Sequence, residues 1–171
     1  MSENMPVIPE VWPVAADALG IWLISGDDAW RTAAVPADSG PHFELDLELF
    51  GRGVRDRVSL MHSTSWRADG PHLVVTYMAV IRADDLVRGT WPAALPVTAR
   101  LLDVVGKPPG HAPDQPPAPR YIDVLMHGLR HLRFLLDHDP ASSAALGETW
   151  RRHLAPLTPA LAGMYSELTP A

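Results

Sequence analysis

The stretch Met61-His62-Ser63-Thr64-Ser65-Trp66-Arg67 gathers an imidazole, hydroxyls, an indole and a guanidinium along one short run. An imidazole moves protons near neutral pH, a guanidinium holds anions, and an indole walls an apolar group. If the chain is an enzyme, His62 and Arg67 are the catalytic candidates, with His62 as acid, base or hydrogen-bond donor. If it is a binding protein, Ser63, Ser65, Trp66, Tyr77 and Trp91 are the expected ligand contacts. Strand alternation would put His62, Thr64 and Trp66 on one face and Ser63, Ser65 and Arg67 on the other. The plain alternative is a solvent-facing strand whose hydroxyls bond to neighbouring backbone and water. Neither serine sits in a Gly-x-Ser-x-Gly turn, so nucleophilic hydrolysis has no motif behind it.

Asp123, His127 and His131 recur every four residues and would share one stripe of a helix. Two imidazoles one turn apart can bind one metal ion. The first and third groups lie roughly 12 Å apart at helical rise, so the three cannot close on one ion. The glutamate of a His-Glu-x-x-His motif is missing from His127-Gly128-Leu129-Arg130-His131. No metal site is therefore assigned, no cofactor is named, and the stripe is expected to face solvent.

Composition narrows the function classes. With 14 basic against 20 acidic residues the net charge is −6, the wrong field for phosphate backbones, so nucleic acid is not an expected partner. The absence of cysteine removes disulfides, thiolate metal sites and cysteine nucleophiles together. The first residues lack the charged and apolar runs of a signal peptide, and no stretch approaches a membrane span. A cytoplasmic location and no membrane partner are expected. A hydrophobic share of 47% is ample for one core, and residues 1–171 are read as a single domain.

The elements that must position these residues read as α+β, with an antiparallel or mixed sheet in about 20–82 covered by two or three C-terminal helices. Residues 1–19, with Pro6, Pro9 and Pro13, read as an extended lead-in. Gly20 to Ser25 reads as a buried strand, and Trp30 to Val35 as its antiparallel return. In His42 to Leu49 apolar residues at 43, 45, 47 and 49 alternate with acids, which predicts a half-buried strand. Val58 to Arg67 and Leu73 to Ile81, joined by Ala68-Asp69-Gly70-Pro71, form a hairpin whose second strand is central. Residues 107–119 hold six prolines and read as a loop between the sheet part and the helical part. Ile122, Leu125, Leu129, Leu132 and Leu136 mark the core stripe of a helix. Asp139-Pro140 and Thr158-Pro159 each read as a helix start, the latter carrying Leu161 and Tyr165 inward.

The hairpin, ending in Val75-Thr76-Tyr77-Met78-Ala79-Val80-Ile81, resembles the early sheet of some Nudix-type proteins, and the His127–Phe134 segment is similar to helices of uncharacterised small proteins of GC-rich bacteria. The Nudix comparison covers about a seventh of the chain. The family's box, ending in Arg-Glu and two further acids that hold magnesium, has no counterpart here, so no catalytic residue is carried over. The sequence thus points to a noncatalytic binding or accessory protein that contacts a small molecule or a protein, with a homodimer allowed. The alternative is a small hydrolase using His62, with metal assistance from His127 and His131.

Overall fold

The computed structural model describes residues 5–97 and 121–162, so the proline-rich stretch 107–119 and Tyr165 lie outside the described residues. A six-stranded mixed sheet forms the middle layer, in the order β4-β5-β1-β2-β6 with β3 also on β1. The strands are β1 (Val7–Ala16), β2 (Ile21–Leu23), β3 (Trp30–Arg31), β4 (Val58–Asp69), β5 (His72–Ile81) and β6 (Leu95–Val97). Helix α1 (Pro41–Gly51) and the short α2 (Val87–Thr90) lie on one face. Helices α3 (Tyr121–His138) and α4 (Pro140–Leu154) lie on the other. This is the expected α+β class. No helix among the described residues is long and apolar enough to cross a membrane.

The sheet begins earlier than its sequence suggests. The presumed lead-in is the central strand β1, paired in parallel with β5 and antiparallel with β2 and β3. Proline is normally excluded from such a strand because it cannot donate to the ladder. Here Pro9 and Pro13 both direct their carbonyls away from β5, accepting from Thr32 N at 3.1 Å and Ile24 N at 2.9 Å. The missing donors therefore fall on the edge where β2 and β3 leave gaps, and the β5 ladder stays whole. β3 consequently returns along β1 rather than along β2.

The second correction concerns residues 43–49, which are helical rather than extended. Pro41 occupies the first turn, and Leu and Glu, both strong helix formers, fill a segment without any β-branched side chain. Leu45 and Leu49, one turn apart, go under the helix into the core with Val11, Ala15, Tyr77 and Ile81. Phe43, Leu47 and Phe50 are left outside. Alternation in sequence thus became two helical stripes, one buried and one exposed.

The opposite core follows expectation more closely. Ile122, Leu125, Leu129, Leu132 and Leu136 are all buried against Trp12, Val14, Leu23, Met78 and Val80 of the sheet. The Asp139 side chain accepts from Ser142 N at 2.9 Å and caps α4, as its sequence predicts. Helical geometry in α4 is interrupted at Gly147, whose φ of 73° suits a residue without Cβ. The expected third helix does not start at Thr158: the described residues up to 162 are not helical, and Leu161 is exposed. Asp17, also buried, is used up structurally. Its carboxylate accepts from Leu19 N, Gly20 N, Trp22 Nε1 and Val87 N, and so ties the β1–β2 turn to α2.

Candidate functional site

The chemistry-bearing run lies on β4, the edge strand of the sheet, which pairs antiparallel with β5. Register shifts between Ser63 and Ser65, so Thr64 is inserted without an opposite residue. A bulge of this kind bends the strand and reverses the alternation beyond it. His62 opposite Met78, Ser65 opposite Thr76 and Arg67 opposite Val74 therefore share the face of α3 and α4. Ser63 opposite Tyr77 and Trp66 opposite Val75 share the face of α1. The simple alternation that grouped His62 with Trp66 fails at this one inserted residue.

Beside the bulge is an open, mainly apolar hollow of about 400 Å³, lined by Ser63, Thr64, Ser65, Trp66, Leu73, Val75 and Ala162. Trp66 is 69% exposed, unusual for the largest apolar side chain. Three of the five ligand candidates, Ser63, Ser65 and Trp66, thus come together. Tyr77 and Trp91 do not join them. Tyr77 is buried on the α1 face, where its ring meets His42 edge-on at 5.2 Å and burial pushes its phenol pKa up. Trp91 packs on the same face beneath the Arg57 guanidinium. A second hollow of about 400 Å³, bordered by Leu19, Trp22, Pro96 and His153, contains none of the candidate residues.

His62 meets α3 on the other side of the strand. Its Nδ1 lies 3.2 Å from Nε2 of His131 and 2.8 Å from the Ser63 carbonyl. The Nδ1 of His131 lies 3.1 Å from the Ala160 carbonyl, and His127 Nε2 lies 3.2 Å from the Thr64 carbonyl. Carbonyls accept only, which assigns the protons: His131 donates from Nδ1, His127 donates from Nε2, and His62 donates its one Nδ1 proton to the Ser63 carbonyl while sharing it with the bare Nε2 of His131. Neutral imidazoles satisfy every contact. Protonated His131 would point an N–H at another N–H.

The histidine stripe of α3 therefore faces β4 and the 158–160 segment, not solvent. His131 is only 3% exposed and His127 is half-buried. Sequence periodicity could not show this, because the strap is brought in by distant residues: Arg130 Nε donates to the Thr158 carbonyl, and Ala160 N donates to the Arg130 carbonyl. Burial pulls the His131 pKa below its ordinary value against the Ala160 hydrogen bond, and positive charge on His62 or His127 lowers it further. His127 is lowered chiefly by burial, with Arg130 adding to it and the Thr64 carbonyl opposing.

These directions imply a measurable acid limb. Because the folded-state pKa values lie below those of the unfolded chain, the unfolded state takes up protons first as pH falls. The stability is complete above about pH 6.5 and is lost progressively down to the folded-state pKa, where the loss levels off. The slope can reach about 1.4 kcal/mol per pH unit for each such group. Urea titrations at two pH values, about 7.5 and 5.5, should show a lower unfolding free energy at the acid value. His131→Leu should shrink that drop. An equal drop in the variant would remove His131 as its source.

Arg67 is not a free anion contact. Its guanidinium grips the buried Glu10 carboxylate with two bonds, Nη1–Oε1 at 2.6 Å and Nη2–Oε2 at 2.8 Å. Thr76 donates its hydroxyl to Glu10 at 2.7 Å, and Arg31 Nε reaches the same carboxylate at 3.0 Å. Burial alone would raise the Glu10 pKa, but the bonds from Arg67 and Thr76 and the two positive charges outweigh it and hold the group low. Glu10 escaped sequence reasoning because it sits alone in an apolar, proline-bearing run. A lone acid in such a run was the signal that a basic partner must be found.

Among the described residues no group of three His, Asp or Glu side chains is arranged to hold a metal ion. No family model matches the chain, and no curated protein or solved structure matches it either.

Proposed function

We propose that this chain is a noncatalytic binding protein and that the hollow at the β4 bulge receives a small molecule with a flat apolar group and a hydroxyl-type polar edge. The exposed Trp66 beside this hollow carries the reading, because a large indole left in water on the same face as Ser63, with Ser65 lining the hollow from the other face of the strand, offers both stacking area and polar groups for orientation. The bulge that inserts Thr64 supports it further, since bulges aim side chains away from the regular pleat. The Nudix-like hairpin enters this reading as a strand pattern without the family's hydrolytic box.

The hydrolase alternative has one observation in its favour, the imidazole pair that fixes the His62 ring against His131. Among the described residues no hydrogen bond joins His62 to a serine hydroxyl, and Arg67 is committed to Glu10. The binding reading is therefore preferred.

Titration with 2-naphthol, a planar aromatic with one hydroxyl, tests it. One saturable site is expected, weakened about tenfold by Trp66→Ala, equivalent to about 1.4 kcal/mol. Leu47→Glu on the far-exposed stripe of α1 should leave binding unchanged. Equal affinity in Trp66→Ala would reject the hollow as the site, and turnover of p-nitrophenyl acetate lost in His62→Gln would favour the hydrolase.

A further inference from the structure

Helix α1 carries an apolar stripe that no element among the described residues covers. Phe43, Leu47 and Phe50 follow one another at spacings of four and three, so they form one outward ridge, and they are 64%, 50% and 71% exposed. The opposite side of the helix already has its core partners through Leu45 and Leu49. Isolated exposed apolar residues need no explanation, but a continuous ridge of two phenylalanines and a leucine marks an interaction surface.

We propose that α1 packs antiparallel against α1 of a second copy, forming a twofold dimer centred near Leu47. The ridge is its own complement: aromatic, aliphatic, aromatic, so reversing it places Phe43 of one copy over Phe50 of the other. An isologous contact requires that self-complementarity.

The charges agree with the antiparallel direction. Acids run along the helix at Glu44, Asp46 and Glu48, and of these Glu44, in the first turn, has no ion-pair partner among the described residues. Bases follow the helix just past its end, where Arg52 bonds Glu48 at 2.7 Å and Arg55 bonds Asp46 at 2.8 Å. Arg52 is further held in place by stacking on Trp30 at 4.5 Å. Antiparallel pairing carries the unpaired Glu44 toward the Arg52 end of the second copy and opposes the two helix dipoles. Parallel pairing would set the two unpaired Glu44 carboxylates against each other.

The area sets the strength. The three side chains offer roughly 300–400 Å² of apolar surface per copy. Doubled and widened by the charged rim, the contact comes near the roughly 1,000 Å² at which specific association begins. The dimer is therefore weak and concentration-dependent, with Kd in the micromolar range.

Sedimentation velocity of the full chain from about 1 to 300 µM tests this, spanning the expected Kd. A monomer–dimer shift is expected, abolished by Leu47→Glu with unchanged far-UV circular dichroism and thermal midpoint. Glu44→Arg should weaken the dimer, and adding Arg52→Glu should restore it. Because the chain has no cysteine, Leu47→Cys is a clean geometric probe: mild oxidation should cross-link it to its own copy, whereas Ala18→Cys should not cross-link. A monomer throughout the range would overturn the proposal, as would a dimer that survives Leu47→Glu or one in which Leu47→Cys fails to cross-link.

Discussion

Glu10→Ala is expected to cost roughly 3–5 kcal/mol of unfolding free energy, the range found when one partner of a buried ion pair is removed. The carboxylate is wholly buried on the central strand, and two guanidiniums and a hydroxyl converge on it. Alanine would leave Arg67, 22% exposed, beside an apolar void, while Arg31, 45% exposed, can turn into water. The lower half of the range is therefore expected. Arg31→Ala, which removes a mainly solvated partner, should cost under about 1 kcal/mol. Arg67→Ala should approach the Glu10 value, because it strands the carboxylate instead. Replacing the whole group with Glu10→Leu, Arg67→Met and Thr76→Val together should recover most of the loss, since the pair also carries a large desolvation cost. Urea unfolding at neutral pH checks each variant. A triple variant as unstable as Glu10→Ala would show that the cluster stabilises by more than its paired charges. The pH response separates this group from the histidines: its folded pKa is held below that of the unfolded chain, so its contribution is complete above about pH 4.5 and is lost only as pH falls below that.

What could be read from the sequence was what neighbouring residues decide among themselves. The β4–β5 hairpin, the α3 stripe and the Asp139 cap depend on turn chemistry, helical period and a side chain reaching three residues onward. Residues 43–49 were misread because alternation at 43, 45, 47 and 49 contains within it the i, i+4 pair Leu45 and Leu49, and helix propensity decided between them. β1 was hidden by Pro9 and Pro13, whose penalty vanishes only when both face a gap in the neighbouring strands. The site suffered in the same way. Ser63, Ser65 and Trp66 were legible as polar and aromatic strand residues, but one inserted residue at Thr64 changed which of them share a face. His131 was legible as a helix-face residue, but its burial comes from the segment around Ala160, nearly thirty positions away.

Gly128→Val is expected to be the most damaging substitution in α3. A Cβ built at Gly128 would lie 2.5 Å from Sδ and 2.6 Å from Cγ of Met78, well inside van der Waals contact. Met78 is fully buried in the sheet layer beneath the helix, so its middle atoms have little room to retreat. Alanine has two opposed effects: about 0.5–1 kcal/mol gained in helix propensity, against about 1–3 kcal/mol for overpacking. A net loss of about 1–2 kcal/mol is expected for Gly128→Ala. Valine adds two more methyls and χ1 restriction, and a loss of at least about 3 kcal/mol is expected. Met78→Ala should cost less in the Gly128→Ala background than alone, because the new methyl fills part of the cavity, and a double-mutant cycle should show coupling of about 1 kcal/mol. Additive effects would mean that the helix moves away rather than pressing on Met78. Helix displacement would have its own signature, since His127 and His131 flank Gly128 on the same helix and reach β4 through bonds of 3.2 Å. Lifting α3 would break both contacts, admit water to His131 and flatten the acid limb between about pH 6.5 and 5.5. The close approach at Gly128 is thus what lets a buried imidazole on α3 reach the edge strand and its bulge.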